Sequence, residues 1–173
     1  VAVLMSLHEL DLAQKISDHI ICVKGDNSIG RFGTPEEIFQ GDYMKELFQI
    51  ERGSYLTDYG SVELEAVKGE PEVFVIGGNG TGISVYRQLQ KQGIPFAAGI
   101  LWENDREYPV AEALGSAVIS EKAFEPVSDA TFEKAANILK SCEKVICCVE
   151  HFGTYQEPCR KLWELAEKLG KIL

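Results

Sequence analysis

The run Gly77-Gly78-Asn79-Gly80-Thr81-Gly82-Ile83-Ser84 is the part of the chain best suited to bind an anion. Clustered glycines let backbone N–H groups come close to a negative charge, and a following helix adds the positive end of its dipole. Two phosphate-binding templates nearly fit. Read as a P-loop, the run has glycines at the first and sixth positions and Ser84 at the eighth, but Ile83 stands where a lysine would meet the β- and γ-phosphates. Read as a dinucleotide loop it has Gly78-x-Gly80, with Ile83 where the third glycine would fall. The missing lysine argues against triphosphate hydrolysis at this turn. Two readings stay open: a tight strand-to-helix turn without a ligand, or a seat for a nucleotide, a dinucleotide or another anion. Glu103 is placed where a ribose-binding acid would sit, and Glu103 and Asp105 are alternatives for a hydroxyl or cation contact. His151, in Glu150-His151-Phe152-Gly153-Thr154, is the candidate for direct ligand contact, with a capping or solvent-facing histidine as the plain alternative.

These residues meet only if the chain between them folds as alternating strands and helices. From Glu72 onward the apolar periods predict strands at 73–76, 95–101, 117–119 and 144–149 and helices at 83–92, 110–114, 129–141 and 158–169. Phe132, Ala135, Ala136, Leu139 and Cys142 form one helical stripe, and Cys159, Leu162, Trp163, Ala166 and Leu169 another. Four βα units of this kind predict an α/β fold, a doubly wound parallel sheet of Rossmann-like type. In strand order 3-2-1-4 the ends of its first and fourth strands would flank a crevice, bringing His151 towards the glycine turn.

Composition narrows the function classes. The 173 residues carry a formal net charge of −10, which repels nucleic-acid backbones and anionic lipid. No apolar run approaches the roughly 20 residues that span a bilayer. The five cysteines lack metal-ligand spacing, so reduced thiols packed in the core are expected and no metal site is.

The first 50 residues have a different character. Val1–Leu7 is an apolar run that predicts a buried strand, without the basic leader and cleavage site of a signal peptide. A helix follows over 9–17, then an apolar strand over 19–23, a turn at 25–28 and a returning strand over 29–32. Thr34-Pro35-Glu36-Glu37 has the N-cap, the first-position proline and the acids of a helix start. Three ordered motifs, Leu4-Met5-Ser6-Leu7-His8-Glu9-Leu10-Asp11-Leu12-Ala13, Ser17-Asp18-His19-Ile20-Ile21-Cys22-Val23-Lys24-Gly25 and Gly33-Thr34-Pro35-Glu36-Glu37-Ile38-Phe39, resemble the end of an ABC-transporter ATPase domain. Within that family the motifs look most like those of the ATP-binding subunits of iron-siderophore and cobalamin importers. The resemblance makes His8 the switch histidine, a catalytic residue only in a full ATPase, where it reaches the γ-phosphate of ATP held between two such domains. It implies ATP and Mg²⁺ in the parent protein, membrane permease subunits and a second ATPase subunit as partners, and a place at the cytoplasmic, inner face of the membrane.

The chain contains no Walker A loop, signature motif or Walker B strand, so it is expected to be a distal piece of such a subunit and not a catalyst by itself. Phe74-Val-Ile-Gly-Gly-Asn-Gly, Ala98-Gly-Ile-Leu101 and Ala111-x-x-Leu114-Gly115 resemble the extra carboxyl-terminal domain of some of these importer ATPases. The expected division is an ATPase remnant at 1–52, a linker with an edge strand at 53–70 and a Rossmann-like accessory domain at 71–173. That domain would sense an unknown nucleotide or anionic ligand and regulate transport. Two other readings remain: a nucleotide- or NAD(P)-binding module or enzyme, and a homodimer paired through the apolar opening.

Overall fold

A computed structural model describes residues 1–40, 43–56 and 59–173. The chain divides into two compact units, Val1–Glu63 and Leu64–Leu173.

In the first unit, helix α1 (Leu10–Ile16) precedes the antiparallel hairpin of β1 (Ile20–Val23) and β2 (Ile29–Gly33). The turn between the strands is organised by Asp26, whose carboxylate accepts from the backbone N–H and the hydroxyl of Ser28. Helix α2 (Pro35–Ile38) begins with the expected cap. Thr34 accepts from the Glu37 N–H and the Glu37 carboxylate accepts from the Thr34 N–H, a reciprocal capping box. Helix α3 (Tyr43–Leu47) and the hairpin of β3 (Ser54–Leu56) and β4 (Ser61–Glu63) complete the unit. Its core is small: Cys22, Ile38, Phe39, Tyr43 and Met44.

The strand expected over residues 1–7 does not form. Val3 and Leu4 are 73% and 89% exposed. An apolar run adopts the buried-strand state only when neighbouring strands take up its backbone hydrogen bonds, and no described strand pairs with it. The face of the first hairpin carrying the cross-strand pairs Ile21–Phe32 and Val23–Ile29 is likewise exposed.

The second unit is an α/β layer structure. Strands β5 (Val73–Ile76), β6 (Phe96–Trp102), β7 (Ala117–Glu121) and β8 (Lys144–Cys147) form one parallel sheet in the order β7-β6-β5-β8, the order 3-2-1-4 within the unit. Helices α4 (Ile83–Lys91), α5 (Tyr108–Leu114), α6 (Asp129–Ser141) and α7 (Glu157–Lys168) make the crossovers. β5 is buried at every position, as a central parallel strand covered on both faces must be. Phe74 lies opposite Ala97 on one side and Val145 on the other. α6 and α7 contribute Ala135, Ala136, Leu139, Cys159, Leu162 and Ala166 to the main core. Tyr86 of α4 stacks on Phe96 with ring centroids 5.1 Å apart.

Beyond α7 the chain returns to β8. The Val145 N–H donates to Lys171 O at 2.8 Å and the Leu173 N–H donates to Val145 O at 3.0 Å, which covers an otherwise open sheet edge. Burial holds the Cys142 and Cys159 thiols at a pKa of about 11, and all five cysteines are free.

α6 starts at Ser128, which accepts from the Thr131 N–H at 3.2 Å, while the Glu121 carboxylate at the end of β7 accepts from the Ser128 N–H and the Thr131 hydroxyl. Ser128→Ala is expected to lower the unfolding free energy by about 1 kcal/mol in a urea titration. An unchanged midpoint would show that Glu121 alone suffices as the cap.

Candidate functional site

The crevice lies at the carboxyl ends of β5, β6 and β8, where the direction of crossover reverses and open α/β sheets bind their ligands. Three loops build it. The first is the glycine turn, Gly77–Gly82, between β5 and α4. The second, Glu103–Glu107, follows β6. The third follows β8 and ends in the 3-10 turn Thr154–Gln156.

Two amides of the glycine turn, those of Asn79 and Gly82, already have anionic partners within the chain. Both Asp105 oxygens accept from the Asn79 N–H, at 3.0 and 2.8 Å, and Oδ1 also accepts from the Glu107 N–H at 3.0 Å. Glu107 is fully buried beneath the turn. Its Oε2 accepts from the Gly82 N–H at 2.9 Å, and its Oε1 accepts from the Tyr86 hydroxyl at 2.7 Å. The Thr81 hydroxyl closes the turn on itself by donating to Gly78 O at 2.9 Å.

This arrangement explains the glycines on steric grounds. A Cβ at Gly77 would collide with Glu107 Oε1, and one at Gly82 would stand 2.6 Å from the Tyr86 ring and 3.0 Å from Glu107 Oε1. Both positions are glycine because a carboxylate and a phenol pack directly against the backbone. The same lack of side chains that would admit a phosphate here admits an internal anion.

The electrostatics follow from burial. Desolvation pushes the Glu107 carboxyl above the ordinary glutamate range, against the downward pull of the Gly82 N–H and the Tyr86 hydroxyl, while the neighbouring Asp105 charge adds to the rise. Burial and then Glu107 push the Tyr86 phenol up, so it stays a donor throughout the accessible range. Cys148, just past β8, is a neutral thiol with a pKa of about 11 for the same two reasons.

Of the residues singled out in the sequence, Gly77, Gly78, Asn79, Gly80, Thr81, Gly82 and Asp105 come together in the crevice. Glu103 does not join them: its side chain is exposed and its N–H pairs with Glu121 O on the β7 side. His151 is exposed in the bend after β8, and the side chain of this loop that reaches the turn is Gln156, whose Nε2 lies against Gly78. His8 is exposed and follows no strand, so the strand-end placement expected for a switch histidine is not found. Three contributors escaped the sequence reading: Glu107, Gln156 and Arg106, whose side chain packs over Gly80. The only local sign of Glu107 was an acid directly before the Tyr108-Pro109 helix start, which reads equally well as a surface residue meeting a helix dipole.

Among the described residues no group of three or more His, Cys, Asp or Glu side chains is arranged to hold a metal. No helix among them is long and apolar enough to cross a membrane. A groove of about 550 Å³ whose lining includes Phe132, Lys140, Leu165 and Lys168 shares no residue with the crevice.

Fold and site together define an α/β domain built on a four-stranded parallel sheet, with a glycine-turn crevice at its switch point. Residues 96–173 match the MJ0874 family. The chain is 39% identical over 72 residues to Uncharacterized protein MJ0874 of Methanocaldococcus jannaschii, covering 42% of this chain and 77% of that protein. The chain belongs to this family. It is also related to ABC transporter ATP-binding proteins. It is 31% identical over 102 residues to Uncharacterized ABC transporter ATP-binding protein MJ0873 of the same organism, a match covering 58% of this chain and 34% of the relative. It is 26% identical over 142 residues to Cobalamin import ATP-binding protein BtuD of Halobacterium salinarum, covering 78% and 35% respectively. The chain spans about a third of the length of these two relatives. No solved structure matches it.

Proposed function

We propose that this chain is the distal, accessory part of an ABC importer ATP-binding subunit, and that its second unit is a Rossmann-like regulatory domain sensing a small ligand in the crevice. On this reading the division falls at 1–52, 53–70 and 71–173, and the parent protein drives uptake of a cobalamin-like or iron-siderophore substrate with ATP and Mg²⁺. It would act with permease subunits and a second ATPase subunit at the inner face of the membrane. The names of the relatives support the transport assignment. The observation that carries the sensing role is the convergence of three loops at the switch point, with Gly78 lying between Asp105 and Gln156.

Occupation of the Asn79 and Gly82 amides by carboxylates counts against a phosphate held by those amides. It leaves the outer rim, with Gly78, Gln156 and the backbone around Gly80, to make the contacts. His8 remains the proposed switch histidine of the parent ATPase.

Two measurements test the proposal. A phosphate-release assay with ATP is expected to show no turnover by this chain, because the groups that hold Mg²⁺ and the triphosphate are not in it. ATPase activity in pure chain would defeat the assignment. Calorimetric titration with ATP, AMP and NAD(H), using Gly80→Val as control, separates a sensor from a dinucleotide enzyme. Gly80 has φ +89°, so a valine there distorts the turn and should abolish any binding that uses it. Tight NAD(H) binding sensitive to Gly80→Val would favour the oxidoreductase-type alternative.

A further inference from the structure

We propose that the Glu107 carboxyl is a proton-operated latch on the glycine turn, its protonation state deciding how firmly Gly82 and the start of α4 are held beneath the crevice. The geometry is that of a clip. Glu107 is fully buried, one oxygen takes the Gly82 N–H, the other takes the Tyr86 hydroxyl, and the carboxylate occupies the space that a Cβ at Gly77 or Gly82 would need. The remainder of the turn is tied by its own hydroxyl and by Asp105, so Glu107 is the anchor of the α4 end.

The groups around the carboxyl are named by the packing. Tyr86 faces it from α4, Cys148 from the end of β8 and Asp105 from its own loop. Arg106 lies over Gly80 on the other side of the turn. Tyr86 and Cys148 are neutral through the range in which a carboxyl titrates. Ionised Glu107 accepts two charge-assisted hydrogen bonds but holds a buried negative charge beside Asp105. When a proton from solvent binds one oxygen, the buried charge is removed, and that oxygen becomes a donor and gives up part of its hold on the Gly82 N–H or the Tyr86 hydroxyl. The turn that lines the crevice is thereby coupled to proton concentration, whichever ligand the crevice takes.

The test is a pH titration of the Gly82 amide resonance in ¹H–¹⁵N spectra of the whole chain. The wild type should show a step centred above the ordinary glutamate value of 4.5. Glu107→Gln should abolish that step. Tyr86→Phe, which removes a hydrogen bond that favours the ionised form, should move the midpoint up by about one pH unit. A step that survives Glu107→Gln arises from another group and overturns the proposal, as does a wild-type step centred at or below 4.5. Should Glu107→Gln fail to give a folded spectrum, Tyr86→Phe decides: a midpoint that does not move overturns the latch.

Discussion

Gly77→Ala is expected to lower the unfolding free energy by about 3 kcal/mol. The residue has no positive φ, so the cost is not backbone strain. It comes from the added methyl, which would collide with Glu107 Oε1 and stand 2.9 Å from the Tyr86 hydroxyl. A clash with the far end of a side chain is cheap when that side chain can move. Here both carboxylate oxygens are committed, to Gly82 and to Tyr86, in a fully buried position. Moving them sacrifices two buried hydrogen bonds at about 1 kcal/mol each, and overpacking adds the rest. Gly153→Ala is the control, since nothing lies within 4 Å of its would-be Cβ and its φ is −74°. It should stay within about 0.5 kcal/mol of wild type. Urea unfolding with an unchanged slope would measure both. Equal midpoints for the two variants would mean that the turn relaxes freely around the carboxylate.

The glycine turn shows what a sequence can and cannot disclose. The βα alternation was legible because it rests on local periodicity, whereas the order 3-2-1-4 entered only as a condition that the sheet meets. The N-cap at Thr34 was legible for the same reason, its signals lying within a few residues of each other. What was hidden is the filling of the turn. Glycines spaced for close approach announce that something comes near the backbone, and an outside phosphate and an inside carboxylate make the same demand on the sequence. The carboxylates come from 25 and 26 residues away, and nothing local distinguishes a Glu that turns inward from one that faces water. Glu103, placed in the sequence where a ribose-binding acid would sit, is exposed, and its backbone N–H pairs with Glu121 O of β7. The apolar opening at residues 1–7 failed as a strand because apolarity records that burial is needed and not which strand supplies it.

An internally capped turn changes what the crevice can do. In a P-loop the amides are held open for phosphate at the expense of their own satisfaction. Here Asp105 and Glu107 occupy the Asn79 and Gly82 amides in advance, so the outer rim of the turn is the surface left for a ligand. Under the sensing role proposed above, a ligand would touch that rim and not the two capped amides. With a net charge of −10 and two acids under the turn, an incoming anion would meet repulsion before contact.

Glu107→Ala carries the same argument from the other side. Removing the carboxylate strands the Gly82 N–H and the Tyr86 hydroxyl in a buried site and leaves a small void, for an expected loss of about 3 kcal/mol. The loss depends on pH with a definite sign. The folded carboxyl titrates above its ordinary value of 4.5, so its stabilisation is fully present below that value and declines as pH rises through the folded midpoint. The cost of Glu107→Ala is therefore greatest in mild acid and shrinks towards neutrality, and urea midpoints at several pH values would show it. A cost that grew with pH would mean that the ionised form is the favoured one in the fold. The two substitutions should also couple, because Glu107→Ala removes the atom that the methyl of Gly77→Ala strikes. The double variant is expected to cost at least about 1 kcal/mol less than the sum of the two single losses. Simple additivity would show that the glycine at 77 and the carboxylate at 107 are not the matched pair their geometry describes.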